Sequence, residues 1–156
     1  MGIKTGDQAP DFTLPKQDGT SVNLKALLQK SAVVLYFYPK DDTPGCTKEA
    51  CSFRDSYESF KEAGAEVVGI SSQSTASHEA FAARHRLPFT LVSDEGGKVR
   101  KEYGVPTTLG LLPGRVTYVI DQSGTVQHVF NSQLNATKHV TEALQVIQKL
   151  RGAQAS

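Results

Sequence analysis

"AVVLYFYPKDDTPGCTKEACSFRD", residues Ala32–Asp55, carries the strand-to-helix transition from which the rest of the chain is read. Ala32 to Pro39 is a continuous apolar, β-branched and aromatic run without polar alternation, the pattern of a strand covered on both faces. A polar turn follows, and Thr43-Pro44 then opens a helix. Threonine suits the N-cap, and proline suits the first helical position, where its missing N–H has no intrahelical role. The helical pattern continues to about Lys61 and is closed by Gly64.

Working outward, "DFTLPKQDGTSVNL" (Asp11–Leu24) predicts a short hairpin turning at Asp18-Gly19. "AEVVGISS" (Ala65–Ser72) predicts a second buried strand, and "STASHEAFAARHR" (Ser74–Arg86) a helix capped by Ser74 or Thr75. "FTLVSDE" (Phe89–Glu95) reads as a third strand and "GGKVRKEYGV" (Gly96–Val105) as a short helix. "RVTYVIDQSGTVQHVFN" (Arg115–Asn131) is a pair of strands around Gln122-Ser123-Gly124. A last helix is expected from about Thr137 to Leu150, with Val140, Leu144, Ile147 and Leu150 near helical spacing and Thr137 as its cap. Residues 152–156 are polar or small and are expected to fray. The order βαβα followed by ββα predicts an α/β, thioredoxin-like fold. Its mixed central sheet has helices on both faces and an N-terminal hairpin, and a single domain spans 1–156.

Composition narrows the function. The 17 Lys and Arg balance 16 Asp and Glu to a net charge of +1, and the basic residues are dispersed, which excludes an electrostatic footprint for nucleic acid or an anionic membrane. The longest apolar run is far too short to span a bilayer. "MGIKTGDQAP" has neither the apolar core of a signal peptide nor the myristoylation pattern, position 6 being Gly6. The expectation is a cytoplasmic protein, or a plastid one if a transit peptide has been removed. Both cysteines, Cys46 and Cys51, lie in the opening stretch. Such a pair is no disulfide scaffold for a domain of this size.

With Thr43 as N-cap, Cys46 is the third helical residue. Unpaired backbone N–H groups and the positive end of the helix dipole favour an anion there, so the setting favours the nucleophilic thiolate. Five residues along a regular helix separate the Cα atoms of Cys46 and Cys51 by about 8.6 Å. That exceeds the roughly 7 Å limit for bridging. A disulfide between them requires the first turns to unwind, which suits a transient bond rather than a structural one. This arrangement matches a two-cysteine peroxidase, in which a thiolate attacks a peroxide, becomes a sulfenic acid and condenses with a second thiol. Thr43 offers a hydroxyl to the peroxide, and the N–H groups of Gly45 and Cys46 could face the same spot. The plainer readings are buried structural cysteines, or a zinc half-site. No second Cys/His pair follows to complete a zinc site, because His78, His85, His128 and His139 are scattered. His78 and His85 are expected on a solvated helix face. Glu49, one turn beyond Cys46, should oppose thiolate formation unless an arginine holds it or it joins a proton network.

"YPKDDTPGCTKEACSFRD" resembles the active-site segment of peroxiredoxins, in particular the peroxiredoxin Q branch, also called bacterioferritin comigratory protein. The family pattern stands here as Pro39, Thr43 and Cys46. "LLPGRVTYVID" supplies Arg115 where the family has an arginine directed at the sulfur. The resemblance runs from "KTGDQAPDFTL" to the last helix. It implies reduction of hydrogen peroxide or organic hydroperoxides, with Cys46 peroxidatic and Cys51 resolving through an intramolecular disulfide. It further implies recycling by thioredoxin or a related dithiol, no metal, haem or flavin, and a monomer. Two other classes stay open: a thioredoxin-like thiol-disulfide oxidoreductase, for which "CTKEAC" is two residues longer than C-x-x-C, and a non-enzymatic redox sensor.

Overall fold

The computed structural model describes residues 2–108, 112–132 and 135–155. A two-stranded antiparallel hairpin, β1 (Thr13–Pro15) and β2 (Ser21–Asn23), leads into a short helix α1 (Leu24–Leu28). There follow β3 (Ala32–Phe37), α2 (Pro44–Glu62), β4 (Ala65–Ser71), α3 (Thr75–His85), β5 (Thr90–Ser93) and α4 (Lys98–Tyr103). The chain closes with a two-residue ladder, β6 (Thr107–Thr108) and β7 (Leu112–Pro113), then β8 (Val116–Ile120), β9 (Val126–Asn131) and α5 (Ala136–Ala155).

Five strands form one mixed sheet in the order β5-β4-β3-β8-β9, with β3, β4 and β5 parallel and β8 and β9 antiparallel to their neighbours. Alternate residues of β3 serve opposite faces, which is why its sequence shows no polar side. Val34 and Tyr36 pack with Phe53 and Phe60 of α2, Phe81 of α3 and Val140, Ala143 and Ile147 of α5. Val33, Leu35 and Phe37 pack on the other face with Phe12, Leu24, Val99 and Tyr103. The architecture is the thioredoxin-like one read from the sequence.

Some elements differ from the sequence reading. α1 was not expected; Asn23 caps it by accepting from the Ala26 N–H, while its own amide is held by Asp11 and the Phe12 carbonyl. α5 starts one residue before Thr137, which therefore lies in its first turn rather than capping it, and its helical backbone runs on past Leu150 to Ala155. Ala and Gln are good helix formers, and they extend the helix without an apolar stripe to announce it. No helix among the described residues is long and apolar enough to cross a membrane.

The insertion of β8 between β3 and β9 brings distant residues to one end of the sheet. Val116 pairs with Phe37, so Arg115 lies level with the loop that leaves β3. Gly114 fixes this approach: its N–H donates to the Pro106 carbonyl at 2.7 Å, and a Cβ there would stand 2.5 Å from that oxygen. Backbone cannot yield cheaply, so Gly114→Ala is expected to cost about 1–3 kcal/mol. Thermal unfolding measures this; an unaltered midpoint would show that the backbone has room after all.

Candidate active site

The turn between β3 and α2 is anchored from inside and outside. Tyr38 Oη donates to Asp41 Oδ1 at 2.6 Å, Ser77 Oγ donates to Oδ2 at 2.7 Å, and His78 Nδ1 lies 2.8 Å from the same Oδ2. His78 Nε2 lies 3.0 Å from the Val92 carbonyl, so that nitrogen carries hydrogen. Burial pushes the Asp41 carboxyl up, but the hydrogen bonds from His78, Tyr38 and Ser77 and the attraction of His78 outweigh it and hold it below its ordinary value. Asp42 takes a left-handed backbone, φ 62°, which aspartate tolerates better than most residues. Its side chain meets Arg84 at 2.6 Å on the surface. His78 corrects the sequence reading: it is fully buried, not solvated. Its position three and four residues before the buried Phe81 and Ala82 was the signal, because those spacings share a helix face.

This anchored turn delivers Thr43 as the N-cap in extended conformation, Pro44 as the first helical residue and Cys46 as the third. The Thr43 hydroxyl makes no cap bond; it donates to the Lys40 carbonyl at 3.0 Å. Its lone pairs remain available to a donor, and no side chain from the N-cap occupies the first N–H groups of the helix. Pro39 is half-buried just after β3. Cys46 is buried and Cys51 half-buried, both as free thiols within the continuous helix.

Arg115 lies over the start of α2. A Cβ on Gly45 would come within 2.9 Å of its Nη2, so only glycine at this position lets the guanidinium approach so closely. Arg115 also interacts with the Cys46 sulfur and donates from Nη1 to Glu49 Oε1 at 2.7 Å. Burial disfavours its charge, but Glu49 and Cys46 together more than offset that and hold it firmly cationic. Glu49 is wholly buried, and burial pushes its carboxyl up to about 8 against the charge and hydrogen bond of Arg115. Of the two alternatives left open for Glu49, the arginine is present. Behind it stand His139 of α5, with Nδ1 3.6 Å from Glu49 Oε2, and Thr117 of β8, whose Oγ1 lies 2.7 Å from the same nitrogen.

The structure thus gathers Thr43, Cys46 and Arg115 at one end of the sheet, with Pro39 in the turn that leads there and Cys51 further along α2. It adds Glu49 and His139, of which His139 was missed. His139 sits next to Val140 on the buried face of α5, and nothing local separates it from an ordinary core position. Chemically, a buried sulfur beside a fixed cation and open helix N–H groups can act as a nucleophile toward a substrate whose leaving atom gathers negative charge.

A family model described as the AhpC/TSA family matches residues 5–129. A chloroplastic peroxiredoxin Q of Triticum aestivum is 59% identical over 149 residues, covering 95% of this chain and 68% of that one. The crystal structure of the peroxidoxin BcpB from Mycobacterium tuberculosis superposes with a TM-score of 0.89 at 42% identity, covering 95% of this chain and 98% of that one. A bacterioferritin comigratory protein of Xanthomonas campestris, solved to explain its alkyl peroxide reduction activity, gives a TM-score of 0.82 at 29% identity over 90% of this chain and 92% of that one.

Proposed function

We propose, for a chain that belongs to the AhpC/TSA family and is a thiol-dependent peroxidase of its peroxiredoxin Q group, a cycle run by Cys46 and Cys51. The Cys46 thiolate attacks the terminal oxygen of a hydroperoxide. The O–O bond breaks, the sulfur becomes a sulfenic acid, and the departing oxygen takes up a proton to leave as alcohol or water. The Cys51 thiol then condenses with the sulfenic acid, releasing water and forming an S–S bond. A thioredoxin-type dithiol reduces that bond by exchange.

The observation that carries this reading is the seat of Cys46: third residue of α2, beside Arg115, below helix N–H groups that no Thr43 side chain caps. Thr43 accepts from the bound peroxide, Arg115 stabilises the leaving oxygen, and Pro39 shapes the turn that holds them. Substrates of both sizes fit the proposal, hydrogen peroxide and organic hydroperoxides, the latter supported by the alkyl peroxide work on the Xanthomonas protein. Both cysteines belong to α2, so once its first turns unwind the disulfide closes within one chain and needs no second, and we take the protein as a monomer. The compartment we propose is the cytoplasm or its plastid counterpart, the latter supported by the chloroplastic relative.

The test is rapid mixing of fully reduced protein with an equivalent of hydrogen peroxide, counting thiols against a simple free thiol. Loss of both thiols orders of magnitude faster than the control, at monomer mass, is expected. Loss at the control's rate would move the thioredoxin-like oxidoreductase reading forward. Cys51→Ser is expected to stop the cycle at the sulfenic acid, which then over-oxidises. Normal turnover of that variant with thioredoxin would remove Cys51 from the resolving role.

A further inference from the structure

Behind Arg115 lies a group of polar atoms that the cycle above does not use. Glu49 Oε1 accepts from Arg115, but Oε2 is buried without a hydrogen-bond partner among the described residues. A bare carboxylate oxygen in such a place is costly. Its facing nitrogen is His139 Nδ1 at 3.6 Å. The other ring nitrogen, Nε2, lies 2.7 Å from the Ser132 carbonyl, which only accepts, so Nε2 carries hydrogen. Nδ1 also lies 2.7 Å from Thr117 Oγ1.

We infer that Glu49 and His139 hold one proton between them, and that His139 is thereby a positioning residue that keeps the charge of Arg115 available to the Cys46 thiolate. The heavy atoms accommodate that proton in two places. With it on Glu49, the imidazole is neutral and the Thr117 hydroxyl donates to Nδ1. With it on His139, Nδ1–H faces Thr117 Oγ1 and Glu49 Oε2, and the hydroxyl turns to accept. Thr117 serves both states because a hydroxyl can donate or accept.

Counting charge shows what the proton does. With one proton in the pair, Arg115, Glu49 and His139 sum to +1 wherever it resides. Without it they sum to zero, and the thiolate loses its counter-charge. The inference rests on the peroxidase reading for its purpose, but the pair's proton is not consumed: the thiol's own proton ends on the alcohol or water. The titratable and charged groups facing the pair are Cys46 from α2, Arg115 from β8 and the phenol of Tyr36 from β3; burial keeps that phenol neutral. Burial pushes Glu49 up to about 8 and the His139 imidazole down to about 4, so near neutral pH the proton rests on the carboxyl. As pH rises through about 8 the proton is lost, and Cys46 oxidation should slow on that alkaline side.

The direct test is infrared difference spectroscopy of the reduced protein against Glu49→Gln across pH, with ring-nitrogen NMR of His139 in the wild-type chain. A protonated-carboxyl band is expected near neutral pH, absent from Glu49→Gln and vanishing as pH rises through about 8. The His139 ring is expected to be neutral with hydrogen on Nε2. In His139→Asn the amide N–H can donate to Oε2 and favour the ionised carboxylate. The band and the alkaline limb of the oxidation rate should then move down by about one pH unit, a tenfold change in the proton equilibrium. Finding neither the carboxyl band nor an imidazolium signal near neutral pH overturns the shared proton. An unmoved band and an unmoved rate profile in a folded His139→Asn protein overturn the part of His139. The spectra stand whether or not peroxide is consumed, so failure of the pair and failure of the peroxidase reading are told apart.

Discussion

Cys46→Ser is expected to lower peroxide reduction by more than about three orders of magnitude, to the rate of the solution reaction. The reaction needs an atom that is both ionised and oxidisable. A thiolate is both, whereas a serine hydroxyl stays protonated beside the same arginine and has no sulfenic state to enter. The substitution is nearly isosteric, and the new hydroxyl can still accept from Arg115. Thermal unfolding should therefore change little, so the loss reports chemistry rather than folding. Peroxide consumption with an excess of small dithiol measures it without a protein reductant. If Cys46→Ser kept a rate within about tenfold of the wild type, the nucleophile would have to be Cys51, which lies two turns into α2 and outside the dipole's reach.

Arg115→Ala is expected to act on rate and stability together, because the guanidinium serves two buried partners. Its loss removes the cation beside Cys46 and a donor for the leaving oxygen, an effect of about 10²–10³ on the oxidation step. It also leaves Glu49 without its hydrogen-bond donor in a site with no water contact. Glu49 carries a proton near neutral pH, so no bare charge is left behind and the cost is that of a buried polar group losing its partner, about 1–3 kcal/mol. Stopped-flow oxidation of the reduced protein and thermal unfolding read the two separately. Arg115→Lys should recover part of the stability but little of the rate, since one ammonium cannot span Glu49 and the Cys46 sulfur in the arginine's forked geometry. A normal oxidation rate in Arg115→Ala would remove Arg115 from the site.

How much of this was legible beforehand follows from the range of the forces involved. The buried strands are written in the local pattern, because a run such as Ala32–Phe37 has no polar face to offer water. So is the place of Cys46, because Thr43-Pro44 is a local signal for a helix start and counts the cysteine into the first turn. Short elements escaped it: the five residues of α1 show no periodicity, and their cap is oriented by Asp11, twelve residues away. Which buried polar group faces which was settled by long-range packing. Local pattern puts Asp41 in a polar turn and His78 on a solvated face, and nothing in it says that Asp41 meets His78 or that Glu49 meets Arg115 and His139. The meeting of Glu49 with Arg115 depends on β8 entering between β3 and β9 in one register. A pairing across 66 residues leaves no mark on either local pattern, since each side chain is chosen for a partner that its own neighbours in the chain do not reveal.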